Sequence, residues 1–118
     1  MTSPDPILHL IAGPNGAGKT TLATRVIAPA TRLPFVNADV IAALRWPTAQ
    51  SEHAYEASRL AAEQRRGLIV DHASFITETV FSHPSKLDLI RDAQASGYRV
   101  HLHVVLVTED LSVARVSD

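Results

Sequence analysis

The run Ile7-Leu8-His9-Leu10-Ile11-Ala12 is apolar but for one histidine and predicts a strand. Lys19 to Ala28 then reads as a helix, which Pro29 is expected to stop. Leu33-Pro-Phe-Val-Asn37 predicts a short second strand ending just before Asp39. Val40 to Trp46 is helix-like as far as Pro47. Ser51 to about Gly67 is rich in strong helix formers, with Ser51 as a plausible cap. Ser74 to Phe81 is β-branched and aromatic, a third strand carrying Glu78 near its end. Pro84 at a first helical position, apolar Leu87, Ile90 and Ala93, and Gly97 just past the end predict the next helix. Tyr98 to Val107 is nearly continuous in β-formers, as in a strand covered on both faces. Leu111 to Asp118 begins like a helix, and residues 1–6, with two prolines and no apolar pattern, read as a flexible lead-in.

Alternating strands and helices predict an α/β fold with a mostly parallel sheet and a ligand at the strands' carboxyl ends. At 118 residues the chain is expected to form one domain over 7–118. Its 11 basic and 12 acidic residues give none of the basic footprint of a nucleic-acid binder. The absence of cysteine excludes disulfides, thiolate metal sites and cysteine nucleophiles from this sequence. No signal-like N-terminus and no long apolar stretch is present, so no membrane partner is expected and a cytoplasmic location is the default.

Between the first strand and the first helix lies Gly13-Pro14-Asn15-Gly16-Ala17-Gly18-Lys19-Thr20, followed by Thr21. This is the spacing of a phosphate-binding loop, G-x-x-x-x-G-K-S/T, in the strand–loop–helix context that the motif requires. Glycines allow unusual dihedrals and close approach of the backbone to a ligand. Inward N–H groups at the positive end of a helix suit nucleotide phosphates. Lys19 is expected to reach the β- and γ-phosphates of ATP, and the Thr20 hydroxyl to hold Mg²⁺.

Two carboxylates fall on the same expected rim. Asp39 could be a general base taking the proton of an attacking hydroxyl, could hold Mg²⁺ through water, or could cap the following helix; its local sequence leaves these open. Glu78, flanked by Thr77 and Thr79, could hydrogen-bond an alcohol or sugar substrate or stand as a solvated strand end. Leu68-Ile-Val-Asp71 imitates a metal-binding strand, but the better strand follows too soon for two parallel neighbours, which favours a helix-to-strand turn. His101 and His103 share a face of the fourth strand, with no third ligand evident, and read with His9 as packed imidazoles. Trp46 reads as packing.

Asn15-Gly16 within the loop, Phe35-Val-Asn-Ala-Asp39, Phe75-Ile-Thr-Glu-Thr-Val-Phe-Ser82 followed by Lys86, Leu87 and Ile90, and Gly97-Tyr98-Arg-Val-His-Leu102 together resemble the zeta-toxin kinase family. The resemblance runs from about residue 7 to 116. It implies a P-loop NTPase-like three-layer sandwich that uses ATP and Mg²⁺ to phosphorylate a hydroxyl of UDP-N-acetylglucosamine, with an antitoxin as a protein partner. By motif match, Lys19 and Thr20 would hold phosphates and Mg²⁺, Asp39 would be the base, and Glu78 with Thr79 would face the substrate. The family pattern continues beyond the Arg115-Val116 region into a lid bearing arginines, so 7–118 is expected to be incomplete at its C-terminus. No catalytic arginine is carried onto Arg115. A nucleotide-binding remnant with little catalysis, or a kinase of another small alcohol, is the alternative expectation.

Overall fold

In a computed structural model of the chain, residues 4–14, 18–79 and 85–106 are described. Four strands, β1 (Ile7–Ala12), β2 (Phe35–Val36), β3 (Phe75–Thr79) and β4 (Arg99–Val104), form one sheet in the order β2-β3-β1-β4. Every pairing is parallel, with Leu10 opposite Thr77 on one side and Leu102 on the other. α1 (Lys19–Leu22), a π-helical stretch (Ala23–Ile27) and α2 (Ala28–Thr31) follow β1. α3 (Ala38–Arg45) follows β2, then a 3₁₀ turn (Ser51–His53) and α4 (Ala54–Val70), and α5 (Ser85–Ala95) joins β3 to β4. This is the three-layer, P-loop NTPase-like α/β fold.

Side-chain alternation in the central strands builds the two cores. Leu8, Leu10, Val36, Phe75 and Tyr98 point to the layer of α3, α4 and α5, where they meet Ala61 and Ala93. Ile11 and Ile76 point the other way, onto Ala23 and Ile27. The connections leaving the carboxyl ends of β1 and β3 therefore pass to opposite faces of the sheet, the arrangement that opens a ligand crevice between two neighbouring parallel strands.

Several boundaries differ from expectation. Pro29 does not stop the first helical run. The π turn immediately before it shifts the hydrogen-bond ladder where the proline has no N–H to give, and helical backbone continues to Thr31 before Arg32 turns left-handed at φ 59°. Ser51 is no helix cap: it begins the 3₁₀ turn, and α4 starts at Ala54 without a side-chain cap bond. α4 runs on through Leu68 to Val70, so Asp71 ends a helix and His72, at φ 55°, makes the turn into β3. β2 is two residues rather than five because Pro34 contributes only its carbonyl, which accepts from the Ile76 N–H. Gly97 ends α5 at φ 87°, as its position predicts.

β4 is not covered on both faces. It lies at the sheet's edge among the described residues, with Leu102 and Val104 half exposed, and only Val100 packs against the larger core. The expectations for Val80 to Pro84, for Val107 and for Leu111 to Asp118, Arg115 included, fall outside the described residues.

Candidate active site

β1 delivers the chain to Gly13 at the mouth of the crevice. A Cβ built there would lie 2.5 Å from the Val105 carbonyl oxygen, so close approach of β4's exit requires glycine. Gly18 is required for a different reason: it takes φ 93° as the residue before α1. The expectation of unusual dihedrals thus holds at Gly18, whereas Gly13 serves approach. Pro14 lies exposed beside it. Asn15, Gly16 and Ala17 fall outside the described residues.

Lys19 opens α1 and is 7% exposed. Its Nζ donates to the Gly13 carbonyl at 2.7 Å, which fixes the ammonium at the loop's root. The next residue faces β3: Thr20 Oγ1 lies 3.2 and 3.4 Å from the two Glu78 carboxylate oxygens and donates to them. Thr21 is exposed. Glu78 also accepts from Asn37 Nδ2 at 2.6 Å, so one carboxylate ties the loop helix to the end of β2. Thr77, one residue earlier on the opposite face, is buried and donates to the Val36 carbonyl at 2.8 Å.

Asn37, not Asp39, caps α3. Its Oδ1 accepts the Val40 N–H at 2.9 Å, leaving Asp39 exposed in the first helical turn. Among the alternatives for Asp39, the cap is thereby taken by a neighbour. Lys19, Asn37, Asp39, Arg65, Glu78 and Thr79 together line a cavity of about 210 Å³ at the strands' carboxyl ends. A second cavity, of about 380 Å³, adjoins it across Ala38 and Asp39 and continues between α3 and the start of α4, past Gln50, Ser51 and Ser58.

Sequence reasoning did not single out two of these residues as parts of the site. Asn37 was assigned to a strand end, although an Asn three residues before an apolar helical position is itself a cap signal. Arg65 lies 26 residues from Asp39 in a helix whose local pattern carries no motif, and only the fold brings it to the cavity. Burial, and then the neighbouring Arg66 charge, pull its pKa down from the usual arginine value.

His9, His101 and His103 do gather, on the α1 side of the sheet. His9 Nδ1 is 3.1 Å from His103 Nε2, and the His101 ring meets His9 edge-on at 5.1 Å. The packing read for these three imidazoles is thus what the sheet builds, with β1 setting His9 beside the other two. Among the described residues, however, no group of three His, Asp or Glu side chains could hold a metal ion. Burial first, and then neighbouring imidazoles (His101 and His103 for His9, His101 for His103), lower the pKa of His9 and of His103 below 6.5. The unfolded chain therefore binds protons more readily than the folded one as the pH drops through that value, so stability falls on acidification. We expect the melting temperature to decline between about pH 7 and pH 5 and to decline less in His9→Gln. Equal slopes in the two proteins would show that the cluster does not contribute.

Trp46 packs as expected, stacked on His53 at 4.3 Å. Among the described residues no helix is long and apolar enough to cross a membrane.

A family model described as Zeta toxin matches residues 1–118. No curated protein matches the chain. The structure is similar to that of a candidate kinase from Chloroflexus aurantiacus, with a TM-score of 0.68, 17% identity, and coverage of 96% of this chain and 66% of that one. It is also similar to a structure of the PezAT chromosomal toxin–antitoxin system of Streptococcus pneumoniae, with a TM-score of 0.72, 18% identity, and coverage of 99% of this chain and 54% of that one. The chain thus spans about half to two thirds of the length of these structures.

Proposed function

The chain belongs to the zeta toxin family, and we propose that it is an ATP-dependent small-molecule kinase that transfers the γ-phosphoryl group to an alcohol. The observation that carries this reading is the shared cavity, in which the buried Lys19 of the loop and the exposed Asp39 of α3 face the same space.

Each residue has a part that follows from its position. The loop from Gly13 to Thr21 would cradle the phosphates, and Lys19 would shift from the Gly13 carbonyl to the more strongly attracting β- and γ-phosphate oxygens. Thr20 and Glu78 present a hydroxyl and a carboxylate close together. Such hard oxygens suit Mg²⁺, which takes one or two protein ligands and keeps several waters. When bound there with ATP, the ion would neutralise phosphate charge. Asp39 would receive the acceptor hydroxyl's proton as the oxygen attacks.

The acceptor we propose is a nucleotide sugar resembling UDP-N-acetylglucosamine. Family membership supports it, as does the adjoining second cavity, which opens at Asp39 and carries the neutral polar side chains Gln50, Ser51 and Ser58. Thr79 lines the first cavity and would meet the acceptor near the transferred group. An antitoxin protein partner is supported by the toxin–antitoxin structure to which the fold is similar. ATP and such sugars are cytoplasmic, and activity there follows from the same reading.

Thermal shift with ATP and Mg²⁺ tests nucleotide binding. A ligand at about 100 times its Kd stabilises the folded chain by about 2.7 kcal/mol. We expect this in the wild type and a much smaller increment in Lys19→Ala. Equal increments would show that the loop is not the nucleotide site.

A further inference from the structure

Arg65 poses a question that its own helix does not answer. Six residues earlier in sequence, Arg59 finds Glu63 at 2.7 Å along the exposed face of α4. Arg65 has Ala61, Ala62, Leu68 and Ile69 three and four positions away, all apolar, and three of these belong to or pack on the core. Its stem is half-buried, and its head has no carboxylate within ion-pair distance among the described residues, although Asp39 and Glu78 line the same cavity. The one hydrogen bond it makes among the described residues, Nη1 to the Thr77 hydroxyl, is long at 3.5 Å. That hydroxyl already gives its proton to Val36. A guanidinium carries five donors and stays charged. Holding one in a pocket without a counter-charge is costly unless an anion completes it, and its planar fork matches phosphate oxygens.

We propose that Arg65 is a catalytic residue supplied within the chain, one that contacts the non-bridging oxygens of the transferring phosphoryl group. The assignment rests on the kinase reading above. In that reaction the acceptor oxygen forms a bond to the γ-phosphorus while the bond from that phosphorus to the β-phosphate oxygen breaks. ADP leaves with the electron pair, and the acceptor proton passes to the Asp39 carboxylate. Lys19 approaches the phosphoryl group from the loop side and Arg65 from the α4 side, so the charge is met from two directions. The cavity then has a cation for the transferred group without recourse to another chain.

The test uses ADP with Mg²⁺, with and without fluoroaluminate, which mimics the phosphoryl group in transit. Thermal shift of the 118-residue chain is the readout. In wild type we expect a shift with ADP and a further increment with fluoroaluminate. Arg65→Met, which keeps the apolar stem, should retain the ADP shift and lose most of the further increment, whereas Arg65→Lys should keep part of it. Arg65→Gln, which can still donate to Thr77, replaces the Met variant if that one does not fold. An undiminished fluoroaluminate increment in the neutral variants would overturn the assignment, as would loss of the ADP shift to the same degree, which would make Arg65 a structural or diphosphate-side residue. A wild type that shifts with ADP but gains nothing from fluoroaluminate also overturns it. Absence of any ADP shift in wild type would instead remove the kinase reading, and this assignment with it.

Discussion

Asp39→Asn is expected to lower phosphoryl transfer by about 10² to 10⁴, the usual contribution of a positioned general base, while leaving the fold and nucleotide binding nearly unchanged. The separation of these effects follows from the local geometry. Asp39 occupies the first turn of α3, but the bond that ends the helix is made by Asn37, whose side chain accepts the Val40 N–H at 2.9 Å. Loss of such a cap costs about 1 kcal/mol, and Asp39→Asn does not touch it. What the substitution removes is a negative charge near a helix N-terminus, worth about 0.3 to 1 kcal/mol when exposed. Asparagine is close in size and keeps an oxygen, but it cannot accept a proton at neutral pH. Turnover measured with ATP, Mg²⁺ and a nucleotide sugar, beside the melting temperature of each protein, separates the outcomes. A variant with wild-type turnover and a melting temperature several degrees lower would mean that Asp39 acts on the helix and not on the acceptor.

The succession of strands and helices along the chain and the loop motif were largely legible, because each rests on local pattern. β1 occupies the six residues that suggested it, and Gly97 ends α5 where a glycine was needed. Lys19, Asp39, Glu78 and Thr79 lie together, as the shared rim of a parallel sheet requires. What escaped was non-local or depended on exposure. Strand four was read as covered on both faces because its residues are β-formers, but β-propensity does not report what packs on either face, and Leu102 is 50% exposed. Pro29 was read as a stop because a proline normally breaks the ladder, while a π turn can absorb the missing donor. Arg65 and His9 reach their clusters only through tertiary packing: Arg65 by way of α4, and His9 by lateral pairing of β1 with β4, which sets it opposite His101.

Phe75→Ala is expected to be the most damaging single truncation in the core, at about 3 to 5 kcal/mol. Among the described residues Phe75 is the largest side chain that is wholly buried. It stands at the start of β3, opposite Leu8, with its ring edge-on to Tyr98 at 6.1 Å. The Tyr98 hydroxyl lies 2.6 Å from the Ala73 carbonyl and 2.9 Å from that of Leu68, and its single proton serves the two acceptors that join α4 to β3. Burial, and then the Asp71 charge, raise the Tyr98 pKa, so the hydroxyl keeps that proton well beyond neutrality. Removing the Phe75 ring leaves a cavity under this junction, and β3 is the strand that carries Thr77, Glu78 and Thr79 to the crevice. A domain's total stability is only about 5 to 15 kcal/mol, so a loss of this size takes a large part of it. Urea unfolding followed by circular dichroism should show a strongly lowered midpoint with an unchanged slope, the mark of lost stability without a change in the surface exposed. A loss below about 1 kcal/mol, far less than truncation of a buried aromatic costs, would mean that the ring does not occupy the core between β3 and Tyr98, and the placement of Glu78 beside Thr20 would lose its structural support.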